Sequence, residues 1–288
     1  MFSHRILAAL ASATFVFGTP LNTANNSSTI CGSNPSPEWL AEAEKHFLAN
    51  RVDLPSKADY RNVVIPVYFH VISRDRTLAG GNIADYQIYQ QIEALNGGYQ
   101  GTGLSWRLMD ITRTVKPAWF EAVIDSVYTR EEYEMKSQLR QGGPETLNIY
   151  TVGFSRSPTL LGFATYPYNY QFDRIRDGAV LRFTALPGGL YPYDRGVTGI
   201  HEAGHWVGLA HPFDGGCDGG DGVADTPAEA QPAFFCTPRD SCPGPRYPGT
   251  DPIYNFMDYT DDACREEFTP GQIARLRSQI ATYRGYPQ

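Results

Sequence analysis

The stretch "TGIHEAGHWVGLAHPFDGGC", Thr198 to Cys217, decides how this chain is read. It holds three of the six histidines, His201, His205 and His211, together with Glu202 and Gly208. At ~100° per residue, Gly204 and Val207 fall within ~40° of Ile200 and form with it a narrow apolar back face. His201 and His205 fall on the opposite side, where both imidazoles reach one metal, with Glu202 beside them but angled away. His211 cannot join them from the same helix, because it is turned off and displaced along the axis. A left-handed Gly208 resolves this by ending the helix and turning the chain back, so that His211 approaches from below.

This donor set points to a reaction. Three neutral imidazoles leave a fourth position on zinc for water, the mark of a catalytic rather than a closed structural site. Zinc lowers the pKa of that water towards ~7 and polarises a carbonyl. Glu202 is placed to take the proton and pass it to a leaving amine. Amide hydrolysis needs these functions together. Five fixed residues at this spacing arise by chance about once in three million starts, so incidental core histidines are the weaker reading.

The rest of the chain agrees. A length of 288 residues suits one large domain or two subdomains. The formal charge of -7 argues against nucleic acid as a partner. At the N-terminus, Arg5 precedes the apolar run Ile6–Phe17, then Gly18 and Pro20. The run is too short for a bilayer, which needs ~20 residues, and fits a signal peptide over residues 1–18. No later stretch reaches transmembrane length, so a secreted, soluble, monomeric protein without a membrane partner is expected. Asn25 and Asn26 both begin N-x-Ser sequons in a turn-rich segment ahead of the folded domain. Four of the five cysteines, Cys217, Cys236, Cys242 and Cys264, crowd near the C-terminus without a C-x-x-C. Two disulfides in an oxidising compartment are expected, with three connectivities open, and Cys31 is left over.

Strand and helix signals alternate up to His211. "PEWLAEAEKHFLAN" carries a weak helical face. "VVIPVYFHVIS", "LSWRLMDITRTV", "TLNIYTVGF" and "GAVLRFTAL" read as strands. "IADYQIYQQIEALNGG" reads as a helix stopping at Asn96-Gly97. Thr129 and Glu132 pair as a capping box before a helix through Leu139. Beyond His211 the chain is turn-rich until "TPGQIARLRSQIATY", where Thr269 caps, Pro270 opens and Gln272 closes the box.

The string His201-Glu202-x-x-His205-x-x-Gly208-x-x-His211 resembles the zinc signature of the metzincins, and "NFMDY" at Asn255–Tyr259 resembles their Met-turn. "LGFATYP", "DGVADTPAE", "DPIYNFMDYTDDAC" and "FTPGQIARLRSQ" narrow the likeness to the pappalysin family, in its secreted fungal and microbial branch related to ulilysin. The resemblance covers about Cys31 to Tyr283. It implies an α+β metzincin fold: a twisted mixed sheet with backing and active-site helices, then an irregular disulfide-bearing lower subdomain ending in a helix. The domain plan is a prosegment over 19–50 and a catalytic domain over 51–288, with the upper subdomain running to about 211 and the lower over 212–288. Activity is implied as secreted zinc endopeptidase action on extracellular proteins. A silent binding protein on the same fold is the alternative, but it would have lost a ligand or the glutamate, and both are present.

Carried over by position, Met257 forms an apolar base under the metal, and Tyr259 steadies the oxyanion. "LLGFATYP" is the sheet edge along which a substrate strand lies antiparallel. Asp218, Asp221 and Asp225 gather on a glycine-rich turn where the resemblance implies a structural calcium. The cysteine pattern implies the crossed pairs Cys217–Cys242 and Cys236–Cys264. Relatives carry Cys-Gly-Thr where this chain reads "ICGS", with Ser33 departing from threonine. A Cys31 thiolate at the fourth zinc position would hold the precursor latent. It would be removed between Gly32 and Val63, with Arg51 a candidate cut. Relatives also favour a basic residue after the scissile bond through an acid in the pocket wall. Here Asp261 and Asp262 follow the Met-turn, but Ala263 stands beside Cys264 where that acid is expected.

Overall fold

A computed structural model describes residues 30–54, 61–124 and 128–286. The expected signal peptide and both sequons lie outside the described residues. Helix α1 (Pro37–Asn50) opens the described chain, with Ser36 accepting from the Trp39 amide as its cap. Strand β1 (Val63–Ser73) follows, then α2 (Asp85–Gly98) and β2 (Leu104–Val115). Short α3 (Pro117–Ala122) and α4 (Arg130–Leu139) precede β3 (Leu147–Val152), β4 (Gly162–Ala164) and β5 (Ala179–Arg182). No sequence pattern signalled α3.

The five strands lie in the order β2-β1-β3-β5-β4. The first four are parallel, and β4 joins β5 antiparallel at the edge, so the sheet is mixed as expected. The β-branched and aromatic run of β1 sits centrally and buries both faces in its second half. On one face Ile65, Val67 and Phe69 share a core with Ile88 and Leu95 of α2 and with Ile200 and Trp206. On the other, Ile72, Tyr150 and Val180 pack with Trp119, Phe120 and Met135 of α3 and α4.

Helix α5 (Val197–Trp206) is buried along its whole length. From His211 to Thr269 the described chain forms no further strand or α-helix, only turns and one 3-10 turn at Gly216–Asp218. Two disulfides tie this region, Cys217–Cys242 and Cys236–Cys264, which is the crossed pairing. Helix α6 (Pro270–Tyr283) starts at the Thr269–Gln272 box and returns Leu276 and Ile280 to the main core. Behind it, buried Arg284 pairs with Asp177 at 2.9 Å and lies 3.9 Å from the Trp206 ring, fastening the C-terminus under α5.

Candidate metal centre and catalytic cleft

Helix α5 presents His201 and His205 one turn apart, and Gly208 (φ 101°) turns the chain away directly afterwards. His211 then returns to the same point. The three Nε2 atoms stand 3.2 Å (His201–His205), 3.1 Å (His205–His211) and 3.3 Å (His201–His211) apart. With the Cys31 Sγ they form four buried donors within 4.8 Å of one another. The opposite side of α5 is closed from below. A Cβ on Gly204 would lie 2.4 Å from the Met257 Sδ, so only glycine lets the methionine seat there. Met257 itself is fully buried.

The outer nitrogens explain the convergence. His201 Nδ1 donates to the Phe256 carbonyl and His205 Nδ1 to the Leu209 carbonyl, each at 2.8 Å. A carbonyl only accepts, so Nδ1 carries the proton and Nε2 keeps a lone pair. His211 Nδ1 faces Asp214 Oδ1 at 3.3 Å, and Asp214 also accepts from the His211 amide. Burial, then the neighbouring imidazoles, hold His201 and His205 well below the usual histidine range, so both are neutral. Nitrogens aimed at one point in this way are held apart poorly unless a cation lies between them. Neutral imidazoles and a thiol at this spacing fit a tetrahedral zinc-type site. Asp214 was not singled out in the sequence, although its place three residues after His211 was the available signal.

Glu202 is buried, and its Oε1 has no protein partner. Burial pushes its carboxyl up to about 8, against hydrogen bonds from Cys31 and Ser33 and the charge of Arg265. Tyr259 is buried too, which raises its phenol well above the usual range and keeps the hydroxyl a donor. Its ring lies 5.1 Å from His211, and its hydroxyl donates to the Cys31 carbonyl at 3.2 Å.

The N-terminal segment lies across this cleft on the free edge of β4. Leu161 N donates to Ile30 O at 2.7 Å, Gly32 N to Gly162 O at 2.8 Å, and Cys31 pairs parallel with Gly162. Ser33 Oγ bridges Ala164 N, Ala164 O and Glu202 Oε2, at 2.8, 3.1 and 3.4 Å. Serine in place of threonine therefore keeps the hydroxyl that these contacts use.

The three acids of the glycine-rich turn each meet protein groups. Asp218 meets Tyr247 and Arg246, Asp221 accepts from Val223 N and Gln272 Nε2, and Asp225 accepts from Thr269 Oγ1 and Gly271 N. Each carboxylate is committed to a separate protein partner, and Asp225 caps α6. Among the described residues these three do not group as metal donors; only the cluster of Cys31 with the three histidines does.

A helix-borne histidine pair, a third histidine beyond a glycine turn and a methionine seat beneath them define a metallopeptidase cleft of the metzincin type. Residues 157–281 match the peptidase M43 family, described as pregnancy-associated plasma protein-A. "Extracellular metalloprotease 1" of Coccidioides posadasii is 38% identical over 261 residues, covering 88% of this chain and 90% of that protein. An "Extracellular metalloprotease" of Verticillium alfalfae is 43% identical over 227 residues, 76% of each chain. Among solved structures, a promirolysin mutant of Tannerella forsythia superposes with a TM-score of 0.69 at 25% identity, over 88% of this chain and 95% of that one. Mature mirolysin with a cleaved peptide gives 0.63 at 27% identity, over 77% and 92%. The chain belongs to the peptidase M43 family of extracellular metalloproteases and is itself a secreted metalloendopeptidase.

Proposed function

We propose that His201, His205 and His211 hold one catalytic zinc, with Glu202 as general base and acid for hydrolysis of peptide bonds in extracellular proteins. The observation that carries this reading is the meeting of three Nε2 atoms within 3.3 Å, each outer nitrogen facing an acceptor. Zinc bound there would supply a Lewis acid for the scissile carbonyl and a lowered pKa for a water. Glu202, with a free Oε1, takes the proton of the attacking water and delivers it to the leaving nitrogen. The Tyr259 hydroxyl donates to the oxyanion that grows on the carbonyl, and being neutral it costs no charge burial. Met257 and Gly204 fix the floor, so the imidazoles keep their aim. The free edge of β4 offers backbone groups to an extended substrate.

The same reading makes residues 19–50 a prosegment and the described form a latent precursor. Cys31 fills the space over the histidines, Ser33 engages Glu202, and Tyr259 is bonded to the segment. The segment runs parallel to β4, opposite to the antiparallel course expected of a substrate, so its own peptide bonds are presented backwards. The promirolysin match covers more of this chain than the mature one, which supports the assignment. Arg51, exposed just after α1, is where we place the cut. The family resemblance implies a structural calcium at the acidic turn of Asp218, Asp221 and Asp225, which lies apart from the histidine cluster.

The test is metal analysis of the secreted protein with casein digestion before and after chelation and zinc return. One equivalent of zinc with activity lost and restored supports the reading. Full activity in metal-free protein overturns it.

A further inference from the structure

Beside the three histidines lies a small half-open pocket lined by Leu161, Thr198, His201, Glu202, Tyr259 and Arg265. Ile30, which also lines it, is buried against Tyr259 immediately before Cys31. Direction along β4 tells which part of a substrate would enter. The N-terminal segment runs parallel to β4, passing from the pocket at Ile30 to the histidines at Cys31. A strand laid antiparallel on the same edge reverses that order. The residue following its reacting carbonyl then falls where Ile30 sits.

The charges around this pocket are unusual. Asp262, the buried acid after the Met-turn, has both oxygens taken: Oδ1 by Arg265 Nη2 at 2.9 Å, and Oδ2 by the Arg195 and Val197 amides at 2.9 and 3.4 Å. Arg265 is itself buried, with Nη1 on the Asp258 carbonyl at 3.1 Å, and it lines the pocket where Asp262 does not. Its Nε and the Thr198 Oγ1 are buried without any hydrogen-bond partner. A lysine or arginine arriving here meets a guanidinium that already occupies Asp262. An acidic side chain meets the Glu202 carboxyl, which lines the same pocket. An uncharged side chain meets neither penalty, and an amide carbonyl gives Nε and Oγ1 the partner they lack.

Resting on the proposed peptidase reading, we propose that Arg265 makes this pocket select an uncharged residue of aliphatic or amide type, such as leucine, methionine or glutamine, directly after the scissile bond. It refuses arginine and lysine, against the basic preference that the family resemblance implies. Arg265 acts by occupying Asp262 and by placing its own charge on the pocket wall.

The secreted full chain, allowed to mature, is given a peptide library randomised at one position, with cleavage sites read by mass spectrometry and casein digested in parallel. The proposal predicts leucine, methionine and glutamine over arginine and lysine after the cut by at least about tenfold. Enrichment of arginine or lysine overturns it. Casein left whole would instead strike the peptidase reading beneath it, so the two failures are told apart. Arg265→Met frees the Asp262 carboxylate and is expected to raise the arginine-to-leucine ratio about tenfold, while Arg265→Met with Asp262→Asn leaves it low. An unchanged ratio in a folded, secreted Arg265→Met protein contradicts the role. If that variant is not secreted, the parent library profile decides the matter alone.

Discussion

The Cys31 Sγ stands 3.4 Å from His205 Nε2, at the point where three imidazole lone pairs meet. The two residues are 174 positions apart, and the strand pairing of Ile30 and Gly32 with β4 delivers one to the other. A thiol held there by backbone hydrogen bonds is placed to compete with water for a metal.

Cys31→Ser is therefore expected to shorten the lag before activity appears in the secreted precursor, since serine is a far weaker zinc ligand. Casein turnover against time, with parent and variant at equal concentration, reads this. Activity that appears no sooner than in the parent leaves Cys31 a bystander.

On the proposed reading, Tyr259→Phe removes one donor to the growing oxyanion and leaves the aromatic ring of the cleft floor in place. In the matured protein, kcat should fall about a hundredfold with KM little changed. A KM effect with kcat intact would place Tyr259 in substrate binding instead.

The irregular region between His211 and Thr269 has little regular backbone pairing of its own, so its bridges carry much of its order. Replacing Cys217 and Cys242 by serine opens a link spanning 25 residues and should cost ~3 kcal/mol. Urea unfolding of the pair of variants in a Glu202→Gln background, which avoids self-digestion, measures it. A midpoint equal to the parent's would show that the bridge is redundant.

His70 supplies a pH dependence far from the cleft. It is buried between Thr112 and Asn148, and burial lowers its pKa to about 4. Between that value and the unfolded value of ~6.5, the unfolded chain binds a proton that the folded one refuses. The stability from neutral His70 is present above pH ~6.5 and is lost as pH falls towards 4, by ~2 kcal/mol at pH 5. His70→Gln should flatten the stability curve over this window, whatever it does to stability at pH 7. An equal slope in parent and variant would remove His70 as the cause.

Much of the cleft was legible because it is written in short spacings. The helix stop at Gly208, the return of His211 and the cap at Thr269 depend on neighbours in sequence, and each appears where expected. Features set by distant partners were not legible. Asn96-Gly97 reads as a helix end, yet α2 runs to Gly98: Asn96 turns its side chain to the Trp106 backbone, and a Cβ on Gly98 would lie 2.7 Å from Ile200. Gly98 there serves close packing of α2 on α5. Asp262 reads from the sequence as a surface or substrate-facing acid, yet Arg265 closes on it at 2.9 Å.

The central claim is that three histidines hold the metal while Glu202 moves the proton, two separable tasks on one helix turn. Glu202→Gln, purified from the medium, tests both at once by zinc content and casein turnover. The account predicts one equivalent of zinc, as in the parent, and hydrolysis reduced by at least about a thousandfold. Near-parental turnover would contradict the role of Glu202, and loss of the zinc would contradict the separation of binding from catalysis.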